Sequence, residues 1–339
     1  MTTMDRLTGT RPHPEPPEAS AGSRIVDAVK ATPVATLTTG GLFVAILVTG
    51  GLTTPGFLTI ANAKAVILAS AFVGIIAVGM TMIMLCGRLF SLSLGTTAAV
   101  GAFAFLYSLQ WGLIPAIVVT LLLTAATGWI QGLIVGGLNA NPIIVTIAAG
   151  VLMEGLSLLL TGGVTVLPPT GDTSYAFLNG RPFGIPISFL IFLGLVVVVE
   201  LMLRRTHYGR DVYAVGESAG AARAAAISIP RVTAAAFAIA GACAGLAGIL
   251  LASFNANATL SIEGTYNFDA IAAVLVGGSL VTGGRGSAVR TLFGSIVIAT
   301  LASLLLIRGY STGIQLLVKG LIVLVVVCII HLGDRGSRR

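Results

Sequence analysis

The chain has 339 residues, 56% of them hydrophobic and only 9% charged, with a mean hydropathy of +1.01. A water-soluble domain carries about 25% charged residues, so this composition excludes an ordinary soluble protein and makes a lipid bilayer the main solvent. The net charge of +7 does not suggest nucleic-acid binding, because the Lys and Arg residues sit at the ends of apolar runs and form no basic stripe interleaved with aromatics.

The first 33 residues contain RPHPEPPEAS and are polar and proline-rich, the composition of a disordered tail. The first apolar run begins near Val34. Its polar preface is long for a signal peptide and no clear small-residue cleavage site follows, so it reads as a retained span. Apolar runs of crossing length fall near 34–52, 61–86, 91–109, 112–138, 143–161, 186–203, 231–253, 266–282, 288–307 and 313–331. At about 20 residues per span, roughly ten spans are expected. The run at 266–282 is short and interrupted by Asp269 and Gly277-Gly278, and is expected to be broken or re-entrant. The expected fold is therefore an all-α polytopic membrane protein. Its transmembrane domain covers 34–332, between the N-terminal tail and a short tail at 333–339.

An even number of spans puts both termini on one side. With the termini in the cytoplasm, only Lys64, Arg181 and Arg308 of the 19 basic residues face outward, and Lys319 lies within the last span. The opposite topology reverses that bias, against the tendency of Lys and Arg to stay inside. Residues 162–185 then form an outer loop rich in turn residues, and 204–230 form an inner loop. Within the inner loop, Ser218 to Ile227 is alanine-rich and expected to be helical, with Ser218 capping its start. The segment is too short and too polar to cross the membrane. It must lie against the membrane face or against another protein.

Other features read as structural. Gly128, Gly132 and Gly136, and Gly241 and Gly245, recur at four-residue spacing, which permits close helix packing in lipid. Cys86, Cys243 and Cys328 are odd in number and lie in or at the end of apolar runs, so they are expected to be packing residues and not disulfides. His13, His207 and His331 are too scattered to suggest a metal site. No GxxxxGK[ST] string is present to cradle phosphates. VTGGRGSAVR reads as a turn between the eighth and ninth spans. With no catalytic, cofactor or metal constellation, the chain is not expected to be an enzyme. Glu154 and Lys319 are ionisable residues inside spans, which are costly and often functional. Lys319 is near enough to an end to snorkel; for Glu154 the structural and functional readings are balanced.

Four stretches carry a family resemblance. GRDVYAVGESAGAARAAAISIPR, from Gly209, resembles the cytoplasmic coupling segment of ABC-importer permeases of the ribose/xylose/galactose type. Gly209, Arg210, Tyr213, Ala214, Gly216, Ala221, Ala222, Arg223 and Ile227 fit that pattern. Glu217 and Ala226 stand where glycine is usual, and Ser218 where asparagine is usual. GTYNFDAIAAVLVGGSLVTGGRG (264–286), GIIAVGMTMIML (74–85) and VKGLIVLVVV (318–327) are similar to further motifs of the family, with Asn267 in place of a glutamate. The chain departs from the family at GRLFSLSLG (87–95), which is one residue longer and has Ser91 in place of an aspartate. It departs again at Glu154-Gly155, where Arg-Gly is common.

The resemblance implies a bacterial inner-membrane permease subunit with both termini cytoplasmic. It implies as partners a separate ATPase that uses ATP and magnesium, a solute-binding protein that delivers a sugar, and a second permease, identical or paralogous. Gly209, Arg210, Gly216, Glu217, Ser218, Ala221, Ala222, Arg223 and Ile227 would form the ATPase-coupling segment. For a sugar path the candidates are Ser91, Ser93, Asn255, Asn257, Tyr266, Asn267 and Asp269, each equally able to satisfy a neighbouring helix's backbone. An ion-gradient-coupled secondary transporter, with Glu154 as its central carboxylate, is the alternative. A non-transporting membrane scaffold is a third reading.

Overall fold

The computed structural model describes residues 33–171, 173–260 and 263–336. The expected N-terminal tail, with His13, falls outside them except for Pro33, as do residues 337–339 and the side chains of Cys328 and His331. In chain order the helices are α1 (Pro33–Thr53), α2 (Ile60–Leu85), α3 (Leu94–Ser108), α4 (Leu113–Gly137), α5 (Pro142–Thr161), α6 (Ile187–Arg205), α7 (His207–Glu217), α8 (Ala219–Ala224), α9 (Ile229–Asn255), α10 (Glu263–Val276), α11 (Ala288–Ile307) and α12 (Thr312–Gly336). Among the described residues the only extended pairing is one isolated bridge between Val166 and Ala258. A lipid interior offers no partner for a free N–H or C=O, and helices satisfy theirs within one segment.

Among the described residues six helices, α2, α4, α5, α6, α9 and α11, are long and apolar enough to cross a bilayer. α1 and α12 cover the first and last expected runs, with shorter described apolar stretches, Thr39–Thr53 and Thr312–Val326. The expected spans at 91–109 and 266–282 are shortened. α3 has 15 residues and α10 has 14. At 1.5 Å per residue each is about 20 Å long, well under the ~30 Å hydrocarbon core. Gly87, at φ 69°, turns the chain out of α2, and Arg88 to Ser93 are not helical before α3 begins. α10 stops before Gly278, at φ 81°.

Hydropathy does not tell the inner helices from the outer ones. α2 and α5 are similar in hydropathy, at 2.5 and 2.3, yet 83% of the apolar window of α2 is buried against 17% of that of α5. α2 and α9 form the centre. α9 packs on α4, α3 and α2, while α11 packs on α2 and α10.

Small residues decide the placement of α9. A Cβ on Gly128 of α4 would stand 2.2 Å from the Phe237 carbonyl oxygen of α9. A Cβ on Gly241 of α9 would stand 2.2 Å from the Thr124 carbonyl oxygen of α4. The two backbones touch, so the four-residue glycine spacing is a packing seam. Cys86 and Cys243 are buried free thiols within the same core.

Gly128→Ala is expected to destabilise the protein by about 1–3 kcal/mol, as overpacking does. Gly194→Ala, in α6 where nothing lies within 4 Å, is expected to be neutral or to stabilise by up to about 1 kcal/mol. Thermal unfolding of the detergent-solubilised variants compares the two.

Candidate functional site

α7 and α8 form a helix–turn–helix on the connection from α6 to α9. Thr206 caps α7 by accepting from the Gly209 N–H at 3.1 Å. Ser218 ends α7 and caps α8, accepting from the Ala221 N–H at 3.2 Å. α8 closes with the Ala226 N–H donating to Arg223 O and the Ile227 N–H to Ala222 O. That pattern places a left-handed residue after the helix, normally glycine; here Ala226 adopts φ 58°.

The nine residues of the expected coupling segment divide into two sets. Arg210, Glu217, Ser218, Ala221 and Arg223 are exposed. Gly209 and Ala222 are buried, and Gly216 and Ile227 are half-buried. Between Glu217 and Arg223, and on to Ala226, the exposed side chains are short (Ser218, Ala219, Gly220, Ala221, Ala224, Ala225 and Ala226), open to close approach by another protein. The inward set fastens the segment to the bundle.

Gly216 makes the tightest of these joints. A Cβ there would lie 1.9 Å from the Leu85 carbonyl oxygen at the end of α2 and 2.6 Å from the Gly284 nitrogen. Gly284 donates its N–H to that Leu85 carbonyl at 3.1 Å, occupying a group left open at the helix end. On the other side, Gly283 approaches Gly87, where a Cβ would stand 2.4 Å from the Gly87 Cα. The glycine-rich stretch after α10 is thus a turn wedged between the ends of α2 and α7.

Two side chains reinforce the wedge. The Tyr213 hydroxyl of α7 donates to Gly286 O at 2.9 Å. Burial, then the nearby Glu200 carboxylate, pushes the Tyr213 phenol up to about 12, so it remains a neutral donor. Glu200, near the end of α6, accepts from the Ser287 hydroxyl at 2.9 Å and from the Ala288 N–H at 2.9 Å. It also pairs with Arg204. Ser287 makes no capping bond of its own, so Glu200 caps α11 from another helix, where a negative charge meets the positive end of the helix dipole.

A second joint lies where α3 begins. Ser93 likewise makes no capping bond to its own helix. Instead Asn267 of α10 accepts from the Gly95 N–H at 2.7 Å and donates to Leu92 O at 2.8 Å. The Leu92 N–H donates to the Thr146 hydroxyl of α5 at 3.1 Å, and the Ser93 hydroxyl donates to Gln131 of α4 at 2.8 Å. Ser91 bonds with Ser93 at 3.1 Å. Three of the path candidates, Ser91, Ser93 and Asn267, therefore meet at one buried joint.

Asp269, on the same helix, forms a buried ion pair with Lys319 of α12, at 2.7 and 3.0 Å to its two oxygens. The expectation that Lys319 snorkels is corrected: both side chains are under 10% exposed. A carboxylate one helix away neutralises the ammonium where it stands, so it has no need to reach water. Tyr266 is half-buried beside this pair. Asn255 is exposed and Asn257 half-buried at the far end of α9, apart from the other candidates. Among the described residues, no group of three or more His, Cys, Asp or Glu side chains is placed to hold a metal ion.

Sequence reasoning missed Glu200, Gln131 and Thr146. Only Glu200 left a signal, a carboxylate four residues before Arg204 at the end of an apolar run.

Residues 62–327 match the family described as branched-chain amino acid transport system / permease component. The chain is 34% identical over 293 residues to the ribose import permease protein RbsC of Bacillus subtilis (strain 168), covering 85% of this chain and 89% of that one. It is 33% identical over 295 residues to the probable ABC transporter permease protein YphD of Escherichia coli (strain K12), covering 85% and 87%. It is 30% identical over 268 residues to the autoinducer 2 import system permease protein LsrD of Salmonella paratyphi B (strain ATCC BAA-1250 / SPB7), covering 75% and 79%. No solved structure matches.

Asp269→Asn strands a buried ammonium and is expected to cost about 3–5 kcal/mol. Asp269→Leu combined with Lys319→Met is expected to recover most of that loss in a thermal-unfolding series. Ala226→Gly is expected to stabilise by roughly 0.5–1 kcal/mol, the left-handed penalty less the extra chain entropy of glycine, seen as a small rise in Tm.

Proposed function

The chain belongs to the family of branched-chain amino acid transport system permease components, and we propose that it is the membrane-spanning permease subunit of an ATP-driven importer for a sugar or related polyol. The observation that carries this reading is the exposed, small-residue surface of α8 and its flanks, held to the bundle through Gly216 and Tyr213 of α7. A surface built for close approach and rigidly tied to helix ends is suited to receive force from a neighbouring protein. The relatives named for ribose import support the cargo class, as does the name of the autoinducer 2 import permease for the importer reading.

ATP is then hydrolysed, with magnesium as cofactor, by a separate ATPase subunit, whose groove takes α8. Ala221 allows that approach, while Glu217 and Arg223 make charge-assisted contacts at the rim. A solute-binding protein delivers cargo on the opposite face, and a second permease, identical or paralogous, completes the pathway. With both termini cytoplasmic, α7–α8 and the 277–287 turn face the ATPase, and the 162–186 loop faces outward. The chain itself performs no chemistry on the cargo. Ser91, Ser93, Asn267 and Asp269 then act from the joints that position α3, α10 and α12 along the path, and Tyr266 lies beside them.

Proteoliposomes containing the chain, a partner ABC ATPase and a matching solute-binding protein are expected to take up labelled sugar only when ATP reaches the ATPase. Ala221→Trp, at an exposed position, is expected to lower uptake at least tenfold without lowering the unfolding temperature. Uptake driven by an ion gradient with no ATPase present would instead establish the secondary-transporter alternative.

A further inference from the structure

A cavity of about 360 Å³ opens between α3, α5 and two loops, lined by Phe103, Glu154, Leu158, Thr161, Thr165 and Thr259 among others. Its size lies within the ~300–1,000 Å³ range of small-molecule sites. The bridge between Val166 and Ala258 builds one wall. Val166 donates its N–H to Ala258 O at 3.1 Å, and Ala258 donates back to Val166 O at 2.9 Å. Thr165 and Thr259 are the chain neighbours of the two bridged residues, so the pairing fixes both at the cavity.

Glu154 is half-buried on α5, and among the described residues no hydrogen bond or ion pair engages its carboxylate. This contrasts with Glu200 and Asp269, each of which is hydrogen-bonded and ion-paired. A carboxylate only accepts hydrogen bonds and has about four sites to fill. The Thr165 and Thr259 hydroxyls, which line the same cavity, donate or accept as required. Phe103 supplies an apolar face. A ligand that answers this set carries several hydroxyl donors on one side and C–H groups on another.

We propose that this cavity is a subsite for a polyhydroxylated small molecule and that Glu154 is its specificity-determining residue. The proposal rests on the importer reading for its place on the cargo's route, and it deepens that reading by assigning the cavity beside the outer loop as a point of contact. A lone carboxylate would also attract an organic cation, but one aromatic ring makes no cage for it, and the threonine hydroxyls favour a hydroxylated ligand.

The test uses two readouts on the full chain. In proteoliposomes with the ATPase and binding protein, uptake of D-ribose, D-xylose and D-galactose is compared between the parent chain and Glu154→Gln. The variant keeps the shape and removes the charge. Loss of a charge-assisted hydrogen bond is expected to lower uptake of at least one of these sugars roughly tenfold, with the ranking among them changed. Separately, Thr259→Cys is alkylated by a membrane-impermeant maleimide, read against the parent chain with Cys86, Cys243 and Cys328. Millimolar sugar is expected to slow alkylation, and to do so less when Glu154→Gln is added.

Unchanged uptake of all three sugars by Glu154→Gln overturns the proposal. So does alkylation that no sugar slows, or that sugar slows equally with and without Glu154. Protection by choline and by none of the sugars overturns it in favour of a cation site. If the parent vesicles import nothing with ATP, the importer reading fails, while the alkylation experiment still decides the cavity.

Discussion

An unpaired backbone N–H or C=O away from water costs several kcal/mol, and that constraint shapes this protein wherever a helix starts or stops inside the bundle. Continuous helices meet it alone. α3 and α11 do not, because their first amides point into packed protein and their own flanking serines leave them open. Each is closed by a side chain from a different helix, Asn267 for α3 and Glu200 for α11. The last carbonyls of α2 pose the mirror problem, and the Gly284 N–H takes up the one on Leu85. The places where chain continuity breaks are thus also the places where distant helices are tied.

The glycines serve the same end by a different route. At Gly216, Gly283 and Gly284 three backbone segments come within contact distance, which any side chain would prevent. A joint made of backbone atoms and hydrogen bonds has few soft degrees of freedom. It moves as a unit or breaks. On the proposed function that is the property required between α7–α8, where force enters, and α10, which leads into the bundle.

Much of this was legible in the sequence and some was not, for a physical reason. Apolar runs located all six of the helices that, among the described residues, are long and apolar enough to cross a bilayer, because hydropathy depends only on local composition. The glycine spacing in α4 and α9 foretold their seam, because close approach needs small residues at a helical repeat. Ser218 as a cap was legible because capping is local. By contrast, Asn267 closing α3, Glu200 closing α11 and Asp269 meeting Lys319 join residues 172, 88 and 50 positions apart. Their register is set by packing. Hydropathy counts such groups only as polar interruptions, so 91–109 read as one span although its first residues are irregular chain.

α10 gathers these ties in 14 residues. Asn267 holds α3, and Asp269 holds α12, from positions two apart and so on different faces of the helix. Beyond its C-terminal end, the 277–287 turn is gripped by α7 through Gly216 and Tyr213 and by α6 through Glu200. On the proposed function, a displacement of α7 would reach α10 and α11 through these backbone contacts and hydrogen bonds. From α10 it reaches α3 and α12 through an amide pair and an ion pair. Both of those are strong when formed and poorly compensated when partly broken in an apolar setting. Such contacts favour discrete arrangements over gradual deformation, so a helix held by them is suited to carry a switch between two states. The shortness of α10 fits that role: a helix too short to span is positioned by its partners and not by the lipid around it.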